Sequence, residues 1–187
     1  MGRIERRCIS LRDGARVVIR STEVEDALPL IQHNLRVART AEFNVTLPDE
    51  VDLDEIKLSE GIQSDIEQPG SLSIIALNDR GEIIGDLEFS ASKRRRMHHH
   101  GNFGISLHAD WRGRGLGREM IQTLIDWARD HEVVERIDLG VFAENTRARR
   151  LYSSMGFVEV GMREREFKLG HGAYSDDVRM SLWVKRP

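Results

Sequence analysis

The chain has 187 residues and a net charge of −3, a length suited to one domain with a substantial core. That charge supplies no basic field for nucleic acid, and the lone Cys8 excludes an internal disulfide and any cysteine-clustered metal site. No apolar run approaches the roughly 20 residues of a membrane span, and Arg3, Glu5, Arg6 and Arg7 interrupt any signal-peptide stretch. We therefore expect one cytoplasmic domain over residues 1–187, with no metal and no membrane or nucleic-acid partner.

In chain order, Arg16–Ser21 reads as a short strand. Ser21 or Thr22 is a candidate cap for a helix from about Glu23 to Arg39, with Pro29 in its first two turns, where proline costs least. A second helix is expected from about Leu53 to Ile66, closed by Gln68-Pro69-Gly70. Leu72–Leu77 and Glu82–Ser90 read as strands joined by the hairpin loop Asn78–Gly81. Lys93–Arg96 and His98–His100 form a polar connection into strand Asn102–Leu107. A long helix follows, opened by Arg112-Gly113-Arg114-Gly115-Leu116-Gly117 and ending near Asp130. Then come strand Arg136–Phe142, helix Thr146–Met155 stopped by Gly156, and strand Phe157–Val160. A hairpin of Arg165–Leu169 and Val178–Val184, turning at Gly170–Gly172, ends the chain. The alternation of helices and strands predicts an α/β fold with a mixed sheet.

The glycine run carries the chemistry. Leu116, Met120, Ile121, Leu124, Ile125 and Ala128 recur at the spacing of one helical face. Glycines at such a helix start let backbone amides and the positive end of the helix dipole meet phosphate. The arrangement therefore points to a phosphate-bearing cofactor. A dinucleotide fold requires G-x-G-x-x-G directly after a strand. Here the spacing is G-x-G-x-G, Arg118 stands where the third glycine belongs, and Ala109-Asp110-Trp111 intervenes. A P-loop is excluded because no Gly-Lys-Ser/Thr follows.

Downstream, Asn145-Thr146-Arg147-Ala148…Leu151-Tyr152…Gly156-Phe157 follows a strand and opens a helix. With Arg112–Gly117, this stretch resembles the GNAT superfamily of acetyl-CoA-dependent N-acetyltransferases. Gly172-Ala-Tyr174-Ser-Asp176…Met180 is similar to its bacterial spermidine-type and ribosomal-protein-type members. The resemblance implies a mostly antiparallel central sheet flanked by helices. It also implies two strands that splay where the pantetheine arm lies, here Ile105–His108 against Asp138–Val141. Cofactor-binding roles are implied for Ile105, Ser106, Leu107, Arg112, Gly113, Arg114, Gly115, Leu116, Gly117 and Asn145, and a homodimer is implied as well. Asn145 is equally an N-cap for its helix.

The implied reaction carries acetyl from acetyl-CoA directly to a primary amine: a small amine, polyamine, amino acid or protein N-terminus. Tyr152 matches the family's tyrosine that protonates the leaving sulfur; packing on its helix is the other reading. The family's glutamate would fall near Asn102, and asparagine takes no proton, so Asn102 is left as a substrate residue. Glu88 is the candidate catalytic base instead: alternation puts Asp86 and Glu88 on one face of their strand, opposite Leu87 and Phe89. A histidine of His98–His100 or a water relay are the alternatives. The acidic stretch from Glu42 to Glu67 suits a cationic acceptor, whereas Lys93–Arg96 suits an acidic one. A catalytically silent acyl-CoA-binding domain is the competing function.

Overall fold

The computed structural model describes residues 2–185. Eight strands form one sheet: β1 (Arg7–Ser10), β2 (Arg16–Ser21), β3 (Ser71–Leu77), β4 (Ile83–Ala91), β5 (His100–Leu107), β6 (Arg136–Phe142), β7 (Val158–Lys168) and β8 (Tyr174–Trp183). Their order is β1-β2-β3-β4-β5-β6-β8-β7, and every pairing is antiparallel except β5 with β6. Four helices flank it: α1 (Ala27–Thr40), α2 (Glu55–Glu67), α3 (Leu116–Asp130) and α4 (Thr146–Ser154).

Alternation along the strands divides the core. Ile74, Leu87 and Phe89 are fully or almost fully buried in a cluster with Met120, Ile121 and Leu124 of α3. Ile75 and Ile83 turn to the other face and pack with Ala27 and Leu30 of α1 and Ile62 of α2. The apolar stripe of α3 explains its full burial, and truncating Leu124 to alanine would cost roughly 2–5 kcal/mol.

The start of α1 differs from expectation. Neither candidate cap serves it, because the Ser21 hydroxyl accepts from the Ile4 amide at 2.9 Å and Thr22 is hydrogen-bonded to Ser73 at 2.8 Å. Instead the Asp26 carboxylate accepts from the Glu23 amide at 2.8 Å and takes a bidentate pair from Arg20, both contacts 2.7 Å. A short 3-10 turn, Val24–Asp26, precedes the helix proper. Pro29 sits in the first turn of α1, where its missing donor has no intrahelical acceptor to lose. The Asp54 side chain caps α2 through the Lys57 amide at 3.1 Å.

At the C-terminal end the two short strands expected at Phe157–Val160 and Arg165–Leu169 are one continuous β7. A bulge absorbs the irregularity: Arg165 adopts φ 55 and its amide donates to Asp176 at 2.7 Å. The exposed edge strand β1, four residues long, has no alternation that would have announced it. His100 belongs to β5 rather than to the turn before it.

The feature that positions the site lies at the sheet's one parallel pairing. β5 and β6 are joined only at His100↔Arg136, Gly101↔Ile137 and Asn102↔Asp138, although both strands run on, to Leu107 and Phe142. Beyond Asn102 they diverge. Asp138 is therefore still paired, and the fork opens one residue later on β6 than the resemblance implied.

Candidate active site

The fork leaves backbone groups of Ile105 and Leu107 without a strand partner on the β6 side, because β4 satisfies only the other edge. Arg112 fastens the tip, its Nε donating to the Leu107 carbonyl at 3.0 Å. The loop then turns through Gly113 and Gly115, both in the left-handed region at φ 83 and φ 99. Only glycine adopts these angles without strain. Gly115 is the N-cap of α3, so the first amides of that helix face outward unpaired.

A groove of about 580 Å³ runs from this loop along the fork. Its walls include Ile105, Ser106, Leu107, Arg112, Gly113, Gly115, Gly117 and Asn145, eight of the residues singled out in the sequence. Two others are turned away. Arg114 pairs with Asp13 and stacks over Trp111 at 4.2 Å, and Leu116 is buried in the core. Three guanidinium groups not anticipated, from Arg12, Arg118 and Arg147, line the groove instead. Arg12 arrives from the β1–β2 turn, tied to the loop by its amide and the Arg114 carbonyl at 3.4 Å. No local pattern in sequence links it to residues a hundred positions away. Arg147 was legible only as part of the second motif.

The donor set fits the diphosphate and amide arm of coenzyme A: free helix amides, guanidinium groups and an unpaired strand edge. Among the described residues no group of three or more His, Cys, Asp or Glu is placed to hold a metal ion. No described helix is long and apolar enough to cross a membrane.

A second cavity of about 500 Å³ lies on the other side of the fork, lined by Asp65, Ser71, Ser73, Asp86, Glu88, Ser90 and Asn102, with Phe43, Phe142 and Phe167 forming an aromatic wall. Strand register explains the polar floor. Ser73, Glu88 and Gly104 are cross-strand neighbours, as are Ser71, Ser90 and Asn102. Gly104 leaves open space beside Glu88, since a Cβ there would touch nothing within 4 Å. Among its described lining residues, this cavity has three carboxylates and no lysine, arginine or histidine. Of the acidic stretch expected to rim it, only Asp65 reaches it.

Glu88 lines this cleft and keeps an exposed surface. Desolvation at the floor, with the charges of Asp86 and Asp65 adding to it, raises its carboxyl to about 7. Asn102 lines the same cleft, with its amide oxygen taken by Arg179 at 2.6 Å. Tyr152 is 7% exposed and wedged edge-on against Phe103 and Phe157, both rings at 5.9 Å. Burial pushes its phenol up to about 12. Asn145 caps α4 by accepting from the Ala148 amide at 3.1 Å.

The two cavities share Phe43, Asn44, Ile105, Ser106, Asn145 and Tyr152. A basic, glycine-edged groove thus leads past a phenol into an acidic cleft. The histidines from His98 to His100 line neither cavity.

The model of the acetyltransferase (GNAT) family matches residues 33–157. The L-amino acid N-acetyltransferase AaaT of Escherichia coli is 33% identical over 119 residues, 62% of this chain and 70% of that protein. Against several further curated relatives the match spans only about half of their length. Among solved structures, a GNAT-family acetyltransferase from Streptococcus pneumoniae superposes with a TM-score of 0.86 at 26% identity, covering 89% of this chain and 99% of that one. A Salmonella typhimurium acetyltransferase solved with its cofactor acetyl-CoA shares the fold, with a TM-score of 0.78 at 17% identity over 91% and 95% of the two chains. The splayed strands, the glycine loop and these matches lead to one assignment: the chain belongs to the acetyltransferase (GNAT) family.

Proposed function

We propose that this protein transfers acetyl from acetyl-CoA directly to a primary amine on a cationic acceptor, one with no carboxylate beside the reacting nitrogen. Family membership supplies the acetyl-CoA-dependent N-acetyltransfer; the direct route and the acceptor's character are the finer reading. The observation that carries it is the meeting of the basic groove and the acidic cleft at Tyr152 and Ser106.

Bound in the groove, acetyl-CoA supplies an acetyl thioester. The loop amides of α3 and the guanidinium groups of Arg12, Arg112, Arg118 and Arg147 would hold the diphosphate end, and the free backbone groups of Ile105 and the Leu107 amide would align the arm. An alkyl ammonium, with a pKa of roughly 10, must lose a proton before it attacks. Glu88, at about 7, is ionised in a large enough fraction at neutral pH to receive that proton. Tyr152 faces the opposite charge problem. A phenol at about 12 is a weaker acid than a thiol near roughly 8.5, so full transfer to sulfur runs uphill. Donating a hydrogen bond to the sulfur as its charge develops is the role its surroundings favour.

The acceptor reading rests on charge. Three carboxylates line the cleft, and the nearest guanidinium, Arg179, is spent on Asn102, so the lining attracts ammonium groups and repels an α-carboxylate. Phe43, Phe142 and Phe167 would cover a methylene chain. The test is a panel of diamines, monoamines, amino acids and peptide N-termini, with thiol release and product mass as readouts. Acetylation of diamines ahead of free amino acids is expected. Tight coenzyme A binding with no thiol release in the presence of any amine would overturn the reading and favour a silent acyl-CoA-binding domain.

A further inference from the structure

His33 has no exposed surface and lies on α1, outside the lining of either cavity. Its Nδ1 is 3.2 Å from the carbonyl oxygen of Ile83, and its Nε2 is 2.8 Å from Ser106 Oγ and 3.2 Å from Asp86 Oδ1. Ser106 and Asp86 are directly opposed across β5 and β4, so their side chains share one face, and the serine hydroxyl donates to the carboxylate. Ser106 also borders a third cavity, of about 370 Å³, beside α1 and α2. Ser106 thus stands where three spaces meet.

Counting protons fixes what that hydroxyl can do. A carbonyl oxygen only accepts, so Nδ1 carries a hydrogen. On the other side, Nε2, Oγ and Oδ1 lie within hydrogen-bonding reach of one another. Ser106 spends its only proton inside that triangle, where the Asp86 carboxylate accepts it. Towards the cavities the hydroxyl offers only a lone pair.

We propose that His33, together with Asp86, is a positioning residue that locks Ser106 Oγ as a hydrogen-bond acceptor for the N–H of the incoming amine. The inference rests on the acetyl-transfer reading and adds to it a residue that orients the nucleophile at the junction of groove and cleft. A serine free to rotate would also present its own proton to the nitrogen's lone pair and compete with attack. The locked hydroxyl instead accepts from the nitrogen and leaves that lone pair free. His33 thus acts on the acceptor through Ser106 and touches neither substrate.

Two measurements test this. Long-range nitrogen–proton correlation NMR on the full chain reads the proton count of each imidazole, with His33 assigned by its absence in His33→Gln. His33 Nδ1 should carry a hydrogen, as its contact with the Ile83 carbonyl requires. Steady-state kinetics with propane-1,3-diamine should show KM for the amine raised at least tenfold in His33→Ala and Ser106→Ala. The Kd for acetyl-CoA in His33→Ala, by calorimetry, should move less than twofold. His33→Gln, whose amide can donate to Ser106, should recover most of the loss. A His33 Nδ1 without a hydrogen, or an unchanged amine KM in His33→Ala and Ser106→Ala alike, would overturn the proposal. If the unsubstituted protein acetylates no amine, the acetyl-transfer reading fails, and the NMR reading of Nδ1 still decides how the His33 ring is held.

Discussion

Asp86 and Glu88 stand two residues apart on one face of β4, yet only one of them is held by neighbouring side chains. Asp86 is engaged by Ser106 and His33. Glu88 is held by no hydrogen bond that lowers it and is raised to about 7 by desolvation and by the charge of Asp86 itself. One carboxylate is fixed as structure, and its field keeps the other poised to exchange a proton near neutrality.

The pH profile follows from that pair. Glu88 accepts a proton only when ionised, so kcat/KM should rise with pH through about 7 and then level. Glu88→Gln should lower turnover by roughly 10²- to 10⁴-fold and remove that limb. An unchanged limb would exclude Glu88 as its origin.

The same shift has a sign in stability. The unfolded glutamate ionises near its ordinary 4.5, whereas the folded one holds its proton up to about 7. Native stability is therefore favoured below 4.5 and declines as pH rises through 7. Glu88→Gln should melt higher than the unsubstituted chain at pH 8, with the difference shrinking toward pH 5. Differential scanning fluorimetry across this range reads it.

Tyr152→Phe keeps the ring that packs against Phe103 and Phe157 and deletes the donor. A lost hydrogen bond to a charged group is worth about 1.5–3 kcal/mol, so kcat should fall roughly 10- to 100-fold with acetyl-CoA affinity retained. Unaltered kcat under single-turnover conditions would take the phenol out of the reaction.

In the groove, Arg12→Ala and Arg147→Ala should each weaken coenzyme A binding by roughly tenfold or more, the scale of one charge-assisted contact. Raising the salt should narrow the difference. Gly115→Val should be worse, because φ 99 excludes a β-branched side chain. Calorimetric titration at two ionic strengths separates the charge effect from the backbone effect.

What the sequence revealed was whatever it encodes locally. The α3 stripe and β6 appear at their expected bounds, and Asn145 both caps α4 and lines the junction, because capping and periodicity act over a few neighbouring residues. Glu88 could be assigned its face because alternation needs only its own strand. His33 gave no such sign: its partners arrive from β4 and β5, fifty and more residues away. Arg114 and Arg12 mark the same limit in the groove. Adjacent glycines suggested Arg114 for the phosphate side, but its pairing with Asp13 and Trp111 turns it outward, and Arg12 lines the groove from a different turn. The split of β7 into two strands failed at Arg165, where a bulge kept the pairing going.

The fork after Asn102 and Asp138 has a consequence for the empty protein. A sheet normally shields its amides by pairing them, and here a central seam is held by three residue pairs alone. Whatever fills the fork finishes the sheet, so occupancy and rigidity are gained together. Amide hydrogens of residues 103–107 and 139–142 should therefore exchange more slowly when coenzyme A is present, as though the ligand were a ninth strand.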